Sequence, residues 1–168
     1  MSVNDYIILA AMEKEAAQIK TKASILVTGI GACNVTKTLF ENKERLEGKF
    51  IINVGYAGST KYNIGKVLSV NKVRRFEPSR TIEEPIFALQ PYLFDCDICL
   101  TADNFVEEAG DAPIIDMELY YIRNIIEHVM SFKIISDNLN YKEYSNTYCS
   151  LQNSWREMNY IINEVVNG

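Results

Sequence analysis

Short apolar runs of strand length recur along this chain and alternate with segments of helical character. Several runs are apolar throughout rather than at alternate residues, which is typical of strands that are covered on both faces. The runs are Tyr6 to Ala11, Ser24 to Val27, Phe50 to Val54, Val67 to Val73, Asp97 to Thr101 and Phe132 to Ile135. Strands that alternate with helices in this way predict an α/β fold, in which a sheet is buried between helical layers.

Four segments have helical composition or periodicity: Glu13 to Lys20, a stretch from Asn34 to near Gly48, Asp116 to Met130, and about Ser145 to Val166. In the third, Met117, Tyr121, Ile125 and Val129 recur every fourth residue, as on one face of an amphipathic helix. Residues 76–95 hold three of the four prolines and predict an irregular connection. Because 168 residues is the length of one domain, we expect a single three-layer domain over residues 1–168. Its central sheet is expected to be mixed, mostly parallel and flanked by helices.

Glycine and polar residues follow four of the predicted strands. They are Thr28 to Gly31, Gly55 to Ser59, Thr101 to Phe105, and Ser136 with Asp137. In α/β sheets, ligands bind where the carboxyl ends of strands meet loops and helix N-termini. The sequence therefore predicts that these four loops line one ligand pocket.

The charge balance argues against a nucleic-acid partner. The chain carries 17 basic and 22 acidic residues, a net charge of −5, and its nearest approach to a basic cluster is Lys72-Val73-Arg74-Arg75. A nucleic-acid backbone calls for a larger basic surface. The N-terminus lacks the basic region of a signal peptide, and no apolar run reaches the ~20 residues that cross a bilayer. We expect a cytoplasmic protein with no membrane partner.

The four cysteines are better explained as reduced packing residues than as a disulfide framework. Cys96 and Cys99 have the CxxC spacing of metal and redox motifs, but a structural zinc site needs a second pair of ligands. Only Cys33, Cys149 and the single histidine, His128, remain, and they are scattered along the chain. We therefore expect no metal and no cofactor.

Six short motifs are individually weak, because each is common as a turn or a helix cap. In order they are Ala-Met-Glu-Lys-Glu at residues 11–15, Gly-Ile-Gly-x-x-Asn at 29–34, Asn-x-Gly-x-Ala-Gly at 53–58, Asp-x-Phe at 103–105, Met-Glu at 117–118 and Ile-Ser-Asp at 135–137. As an ordered set they resemble the purine nucleoside phosphorylase and uridine phosphorylase superfamily. The resemblance is strongest to the methylthioadenosine/S-adenosylhomocysteine nucleosidases, of which this chain looks like a shortened member, and it implies a nucleoside phosphorylase-like fold.

The resemblance implies roles for the charged residues. Glu15 matches the glutamate that activates the attacking water, and Asp137 matches the aspartate that protonates the purine at N7. Ser136 matches the serine that orients that aspartate. Glu118, with Met117, matches the pair that holds the ribose, where the carboxylate binds the 2′- and 3′-hydroxyls.

The resemblance also implies contacts with the rest of the substrate. Phe105 matches the aromatic residue that stacks on the purine, with Val106 beside it. Tyr56, Ala57 and Gly58 match a substrate-contacting turn in which the family usually has a small hydroxyl residue at the position of Tyr56. The implied partners are a purine nucleoside and a second copy of the chain, with a dimer favoured.

These roles fit the chemistry of a ribosyl–purine bond. Its cleavage builds positive charge on the sugar and negative charge on the base, and sugar hydrolases meet this need with two carboxyl groups, one acid and one base. Glu15 and Asp137 would be that pair. A carboxylate such as Glu118 grips hydroxyls through strong charge-assisted hydrogen bonds.

Two alternatives to hydrolysis stay open from the sequence. Phosphorolysis would need a dianion site, which arginines or loop amides usually supply. No arginine falls in the loops after the first three strands, and the ring of Tyr56 is expected to fill space that phosphate needs, although Arg74 or Arg75 could fold back. The other alternative is a catalytically decayed protein that binds a nucleoside without turnover.

Overall fold

The fold is described here from a computed structural model, which covers residues 2–77, 85–92, 96–107, 113–147 and 151–168. After a 3-10 turn at Val3–Asp5, the strands are β1 Tyr6–Ala10, β2 Ser24–Val27, β3 Phe50–Gly58, β4 Val67–Arg75, β5 Phe87–Ala88, β6 Cys96–Thr101, β7 Ile114–Asp116 and β8 Val129–Asp137. The helices are α1 Glu13–Ala16, α2 Gly31–Glu41, α3 Lys43–Leu46, α4 Leu119–Ile125, α5 Tyr141–Thr147 and α6 Gln152–Asn167.

All eight strands of the described residues belong to one mixed sheet. β2, β1, β3 and β8 run parallel to one another in that order, and β4, β6 and β7 form a second parallel set. Antiparallel pairing of β8 with β4 and of β7 with the end of β3 joins the two sets. The α/β class and the mainly parallel sheet are confirmed.

Part of the sheet closes into a ring, whereas a plain three-layer arrangement has an open sheet. β3, β8, β4, β6 and β7 form a ring, because β3 pairs with β1 along its first half and then, beyond the end of β1, with β7 at Gly58. The twist that every sheet carries makes such closure possible. The ring brings the carboxyl ends of β3, β6 and β8 close to β7 and the start of α4.

The two largest of three apolar clusters among the described residues pack helices onto the sheet. One packs α6 onto the sheet through Trp155, Met158 and Ile162. The other packs α2 and α4 through Val35, Leu39, Leu119 and Ile122. The faces of α2 and α6 that carry these residues show the three-to-four-residue spacing of amphipathic helices.

The predicted helix from Asp116 to Met130 is wrong at both ends. Ile114–Asp116 is a strand paired with β6 and β3, α4 spans only Leu119–Ile125, and β8 begins at Val129. The apolar residues with four-residue spacing fall in the turn before α4 (Met117), in α4 (Tyr121 and Ile125) and in β8 (Val129). Pairing with neighbouring strands outweighs local helical preference here. Other predicted bounds shift less: α1 ends at Ala16, and β3 and β8 each reach nine residues.

The predicted C-terminal helix is present as two helices, α5 and α6, with residues 148–150 outside the described residues. No helix in the described ranges combines the length and apolar composition needed to cross a bilayer. Within the same ranges, no group of three or more His, Cys, Asp or Glu side chains is arranged to hold a metal ion.

Candidate active site

Glu15 is a buried carboxylate fixed by two backbone amides. It lies in α1, the single turn that follows β1, and its exposed fraction is 2 %. Oε2 accepts a hydrogen bond from the amide of Met12 at 2.9 Å, which caps the helix, and Oε1 accepts one from the amide of Tyr56 at 3.1 Å. Burial raises the pKa of Glu15, while the charge of Lys133 and these amides oppose the rise. The side chain is therefore held in place and prefers a proton more than an exposed glutamate does.

Two glycines let carboxylates approach the end of β3. A Cβ at Gly55 would lie 3.0 Å from Oε1 of Glu15, and a Cβ at Gly58 would lie 2.9 Å from Oδ1 of Asp137. Larger residues at these two positions would push on the carboxylates. Gly55 and Gly58 thus leave room for Glu15 and Asp137 along the last four residues of β3.

Asp137 ends β8 and is held by its neighbours on the chain. Oδ1 accepts hydrogen bonds from the amides of Leu139 at 2.9 Å and Asn140 at 3.3 Å, and Oδ2 accepts one from the hydroxyl of Ser136 at 2.6 Å. Burial raises the pKa of Asp137 against the effect of these donors. An oriented carboxyl group with a raised pKa suits a general acid.

Glu118 is buried at the N-terminus of α4, with Met117 half-buried beside it. Its Oε1 accepts a hydrogen bond from the amide of Gly31, the first residue of α2, at 3.0 Å. Burial, with the charge of Asp116, raises the pKa of Glu118 to about 7. This hydrogen bond therefore joins the glycine loop at the start of α2 to the Met-Glu pair, although the two are far apart in sequence.

A buried ion pair stands beside these carboxylates, and sequence reasoning missed it. Nζ of Lys133, in β8, lies 2.7 Å from Oδ2 of Asp116, with side-chain exposures of 1 % and 0 %. Burial lowers the pKa of Lys133, but the charges of Asp116 and Glu118 outweigh this and raise it. The signal was present in the sequence, as a single lysine inside the predicted strand Phe132 to Ile135.

Phe105 belongs to an aromatic cluster with α5. Its ring centroid lies 5.5 Å from that of Tyr141, in edge-to-face geometry, and 5.9 Å from that of Tyr144. The hydroxyl of Tyr144 lies 3.7 Å from the sulfur of Met12, whose amide binds Glu15. Phe105 and Val106 are half-buried. The cluster therefore connects the loop after β6 to Met12, which precedes α1, the helix that carries Glu15.

Tyr56 directs its ring into the core. The ring lies 5.6 Å from that of Trp155, edge to face, and its hydroxyl accepts a hydrogen bond from the indole N–H of Trp155 at 2.7 Å. The next residues, Ala57 and Gly58, are also buried. Because the ring of Tyr56 occupies core space, the steric argument against phosphate that the sequence suggested is not supported.

The structure thus groups the predicted residues through shared neighbours. Glu15 and Glu118 both interact electrostatically with Lys133, and Glu15 and Asp137 both lie against the end of β3. A cavity of about 790 Å³ lies elsewhere, between α2–α3 and the end of α4, and includes Leu39, Phe40 and Ile125 in its lining. None of the predicted site residues lines that cavity.

Two of the described arginines are engaged by neighbouring groups. Arg75 binds Asp103 at 2.6 Å, and Arg123 donates to the carbonyl of Ala88 at 2.9 Å. Arg74 is exposed. Cys99 is buried in the apolar core, where it interacts electrostatically with Lys133, and Cys33 is exposed.

No protein-family model matches this sequence, and no curated protein sequence matches it either. Solved structures, in contrast, match it over nearly the whole chain. The 5′-methylthioadenosine/S-adenosylhomocysteine nucleosidase of Helicobacter pylori, complexed with a substituted pyrrolidinol, aligns with a TM-score of 0.77 and 14 % identity, covering 98 % of this chain and 100 % of that one.

Two further structures give the same result. Futalosine hydrolase of Helicobacter pylori aligns with a TM-score of 0.76 and 15 % identity over 96 % of this chain and 98 % of that one. The corresponding nucleosidase of Chlamydia trachomatis, as an aspartate-to-asparagine variant bound to MTA, aligns with a TM-score of 0.77 and 16 % identity over 95 % and 97 %. The chain therefore has the fold of these nucleosidases, and the fold implied by the sequence resemblance is confirmed.

Proposed function

We propose that this chain is a purine nucleosidase. It hydrolyses the N-glycosidic bond of an adenosine-type nucleoside, such as 5′-methylthioadenosine or S-adenosylhomocysteine, to the free base and the ribose moiety. One observation carries the proposal: two buried carboxylates, Glu15 and Asp137, lie against glycines at the same end of β3. Nucleosidases among the structures with this fold, one of them bound to MTA, support the choice of substrate.

Asp137 is the general acid in this proposal. It donates a proton to N7 of the purine as the glycosidic bond breaks, so that the base leaves as a neutral molecule. Ser136 orients the carboxyl through its hydrogen bond to Oδ2. A raised pKa favours the protonated form that an acid needs at neutral pH.

Glu15 is the general base. It takes a proton from the water that attacks C1′ of the sugar on the side opposite the base, and its negative charge stabilises the ribosyl cation that develops. The amides of Met12 and Tyr56 hold the Glu15 carboxylate in one orientation, and as neutral donors they leave its negative charge in place. The reaction consumes one water and leaves its hydroxyl on C1′.

Glu118 and the aromatic cluster bind the remaining parts of the substrate. The Glu118 carboxylate accepts hydrogen bonds from the 2′- and 3′-hydroxyls, with Met117 against the sugar. The ring of Phe105 stacks on the purine, with Val106 beside it, in the way that aromatic side chains bind bases elsewhere. Backbone atoms of Tyr56, Ala57 and Gly58 complete the wall beside the sugar.

Water, rather than phosphate, is the proposed nucleophile, because Arg75, Arg123 and Lys133 are each engaged by another group of the protein. A phosphate dianion needs an unengaged cation or a fan of amides, whereas Arg75 is bound to Asp103 and Arg123 to a backbone carbonyl. Glu15 and Glu118 would also repel a dianion. Lys133, the buried cation nearby, is already paired with Asp116.

The test is an assay of base release over a nucleoside panel, in phosphate-free buffer and in phosphate. Base release without phosphate, together with free ribose, supports the hydrolase. Strict dependence on phosphate, with ribose 1-phosphate as the product, would establish a phosphorylase. Binding of a nucleoside without turnover under either condition would establish a binding protein.

We also propose that the chain forms a homodimer. Phe40 of α2 is 64 % exposed and Ile125 of α4 is 38 % exposed, and both border the 790 Å³ cavity. Lys43, Lys49, Glu47 and Glu127 around the cavity supply both charge signs, which suits a surface that pairs with its own copy. Light scattering on wild type and on Phe40→Glu tests this: the variant is expected to be monomeric, and an unchanged mass would place the interface elsewhere.

A further inference from the structure

We infer that the buried Lys133–Asp116 ion pair, together with Thr101, is the device that positions Glu118. The inference rests on the proposed function, because Glu118 is taken there as the carboxylate that holds the ribose. It concerns three residues, Lys133, Asp116 and Thr101, to which no role has been given so far. None of them is proposed to touch the substrate.

The hydrogen bonds of Asp116 connect three parts of the fold. Oδ2 meets Nζ of Lys133 at 2.7 Å and the amide of Leu119 at 3.0 Å, while Oδ1 accepts the hydroxyl of Thr101 at 2.5 Å. The oxygen of Thr101 in turn accepts the amide of Tyr120 at 2.9 Å. Hydrogen bonds therefore hold the turn at residues 116–120 at both ends, through the Asp116 carboxylate at its start and through the amides of Leu119 and Tyr120 at its end.

Glu118 sits in the middle of that turn. Residues 119 and 120 begin α4, and their amides are the donors that the Asp116 carboxylate and the Thr101 hydroxyl capture. The side chain of Glu118 leaves the turn toward α2, where it meets the amide of Gly31. The network thus fixes the backbone from which Glu118 projects, and the Gly31 amide fixes the far end of the side chain.

Lys133 connects the turn that carries Glu118 to β8, the strand that ends at Asp137. It lies in β8, four residues before Asp137, and pairs in register with Gly55 and Leu68. The strand that ends in the proposed acid is thereby bonded to the turn that presents the proposed ribose ligand. The ion pair sets the spacing between the two groups.

Stability alone explains this pair poorly. Removing two charges from water costs about as much as their attraction returns, so apolar side chains of similar size often stabilise a core as well or better. Both side chains here are essentially inaccessible to solvent. The benefit of the pair is the geometry it imposes, which an apolar contact would leave less defined.

A matched pair of variants tests the inference. Thr101→Val removes the bridging oxygen at nearly constant shape, and Thr101→Ser keeps it. Thr101→Val is expected to lower kcat/KM for the ribonucleoside by about 10- to 100-fold, as small displacements in active sites do. The loss should be smaller for the 2′-deoxynucleoside, and Thr101→Ser should behave as wild type. Lys66→Met, at an exposed lysine, is the control for loss of a lysine charge.

A second variant and a spectroscopic readout separate this inference from the proposed function. Lys133→Met/Asp116→Leu replaces the pair by apolar side chains, and the amide resonance of Gly31 in ¹⁵N spectra reports its hydrogen bond to Glu118 without any turnover. The resonance is expected to shift in Thr101→Val and in the double variant, and to stay in place in Thr101→Ser and Lys66→Met.

Each outcome has one meaning. If wild type cleaves no nucleoside, the proposed function fails, and the Gly31 resonance still decides the positioning role. If folded Thr101→Val keeps both the Gly31 resonance and the ribo-to-deoxy preference of wild type, the inference is overturned. Should the double variant fail to fold, the Thr101 pair decides alone.

Discussion

Oδ1 of Asp137 lies 2.9 Å from the point where a Cβ of residue 58 would be. Glycine at position 58 leaves this carboxylate undisturbed, because it has no Cβ. The same added atom would lie 2.6 Å from the end of the Leu139 side chain, which can rotate away. Asp137 cannot move as freely, because three donors hold its two oxygens. The contact therefore links the sequence of β3 directly to the placement of the proposed acid.

Gly58→Ala is expected to lower kcat by about tenfold or more, because a shift of the acid by a fraction of an ångström weakens proton transfer. The measurement is steady-state base release. Gly48→Ala is the control: Gly48 has a positive φ of 69° and nothing within 4 Å of an added Cβ. That variant should lose about 1 kcal/mol of stability and no activity. Equal kcat in Gly58→Ala and wild type would show that Asp137 tolerates displacement.

Asp137→Asn is expected to lower kcat by about 10²- to 10⁴-fold, which corresponds to roughly 3–5 kcal/mol of barrier. Asparagine keeps the shape but cannot give a proton to the leaving base. Substrate binding should survive, so calorimetry on the variant should yield a Kd for the uncleaved nucleoside. Ser136→Ala removes one orienting hydrogen bond and should cost less. A kcat close to that of wild type would remove Asp137 from the mechanism.

Glu118→Ala is expected to weaken ribose recognition by about 2–3 kcal/mol, the scale of a pair of charge-assisted hydrogen bonds. The 2′-deoxynucleoside has one of those partners missing and should lose less. The measurement is kcat/KM for both substrates in wild type and variant. Identical losses on the two substrates would mean that Glu118 does not bind the 2′-hydroxyl.

The ionisation of Glu118 should make folding stability depend on pH. Its pKa is raised from 4.5 to about 7 by burial and by Asp116, so the folded state holds this proton more tightly than the unfolded chain does. Stability from this group is complete below pH 4.5, declines as pH rises toward 7, and is gone above it; the total is about 3 kcal/mol.

Urea denaturation at pH 5 and pH 8 checks this expectation. Glu118→Gln, which cannot titrate, is the matched reference, and the difference between wild type and variant isolates this one group. Wild type should lose stability relative to the variant between the two pH values. A difference that does not change with pH would show that Glu118 has the same pKa in both states.

Tyr56→Phe is expected to lower the free energy of unfolding by about 1–3 kcal/mol, because it leaves the buried indole N–H of Trp155 without its acceptor. Activity should change little, since the hydroxyl of Tyr56 is bonded to Trp155 and the hydrogen bond to Glu15 comes from the amide of residue 56. Combining it with Trp155→Phe gives a double-mutant cycle for the pair. A large loss of kcat at unchanged stability would place the hydroxyl in the site.

The elements that could be predicted from sequence are those whose pattern is local. The strand Ser24–Val27 has the predicted bounds, and the amphipathic face of Val35 and Leu39 does lie in the core. The helix predicted from Asp116 failed because the pairing of β7 with β6 and β3 joins residues that are distant in sequence. Local periodicity carries no information about such contacts.

The site shows the same division. The carboxylates that follow strands could be located from their order, since strand ends define where loops go. The direction of the Tyr56 ring was available from alternation with Ile52 and Val54, which also face α6. The partner of Lys133 was not available, because the ring of strands that brings Asp116 to it is a property of the whole sheet.

The closed ring of strands also determines which parts of the sheet can unfold locally. Within the described residues, only β2 and β5 stand at the outer ends of the sheet, so fraying and unwanted pairing with other chains concentrate there. β3, β8, β4, β6 and β7 have no outer edge from which a single strand could be peeled. Amides in β3 and β8 should consequently exchange only through global opening. Asp137, which ends β8 in this ring, therefore keeps its position relative to β3 until the whole sheet unfolds.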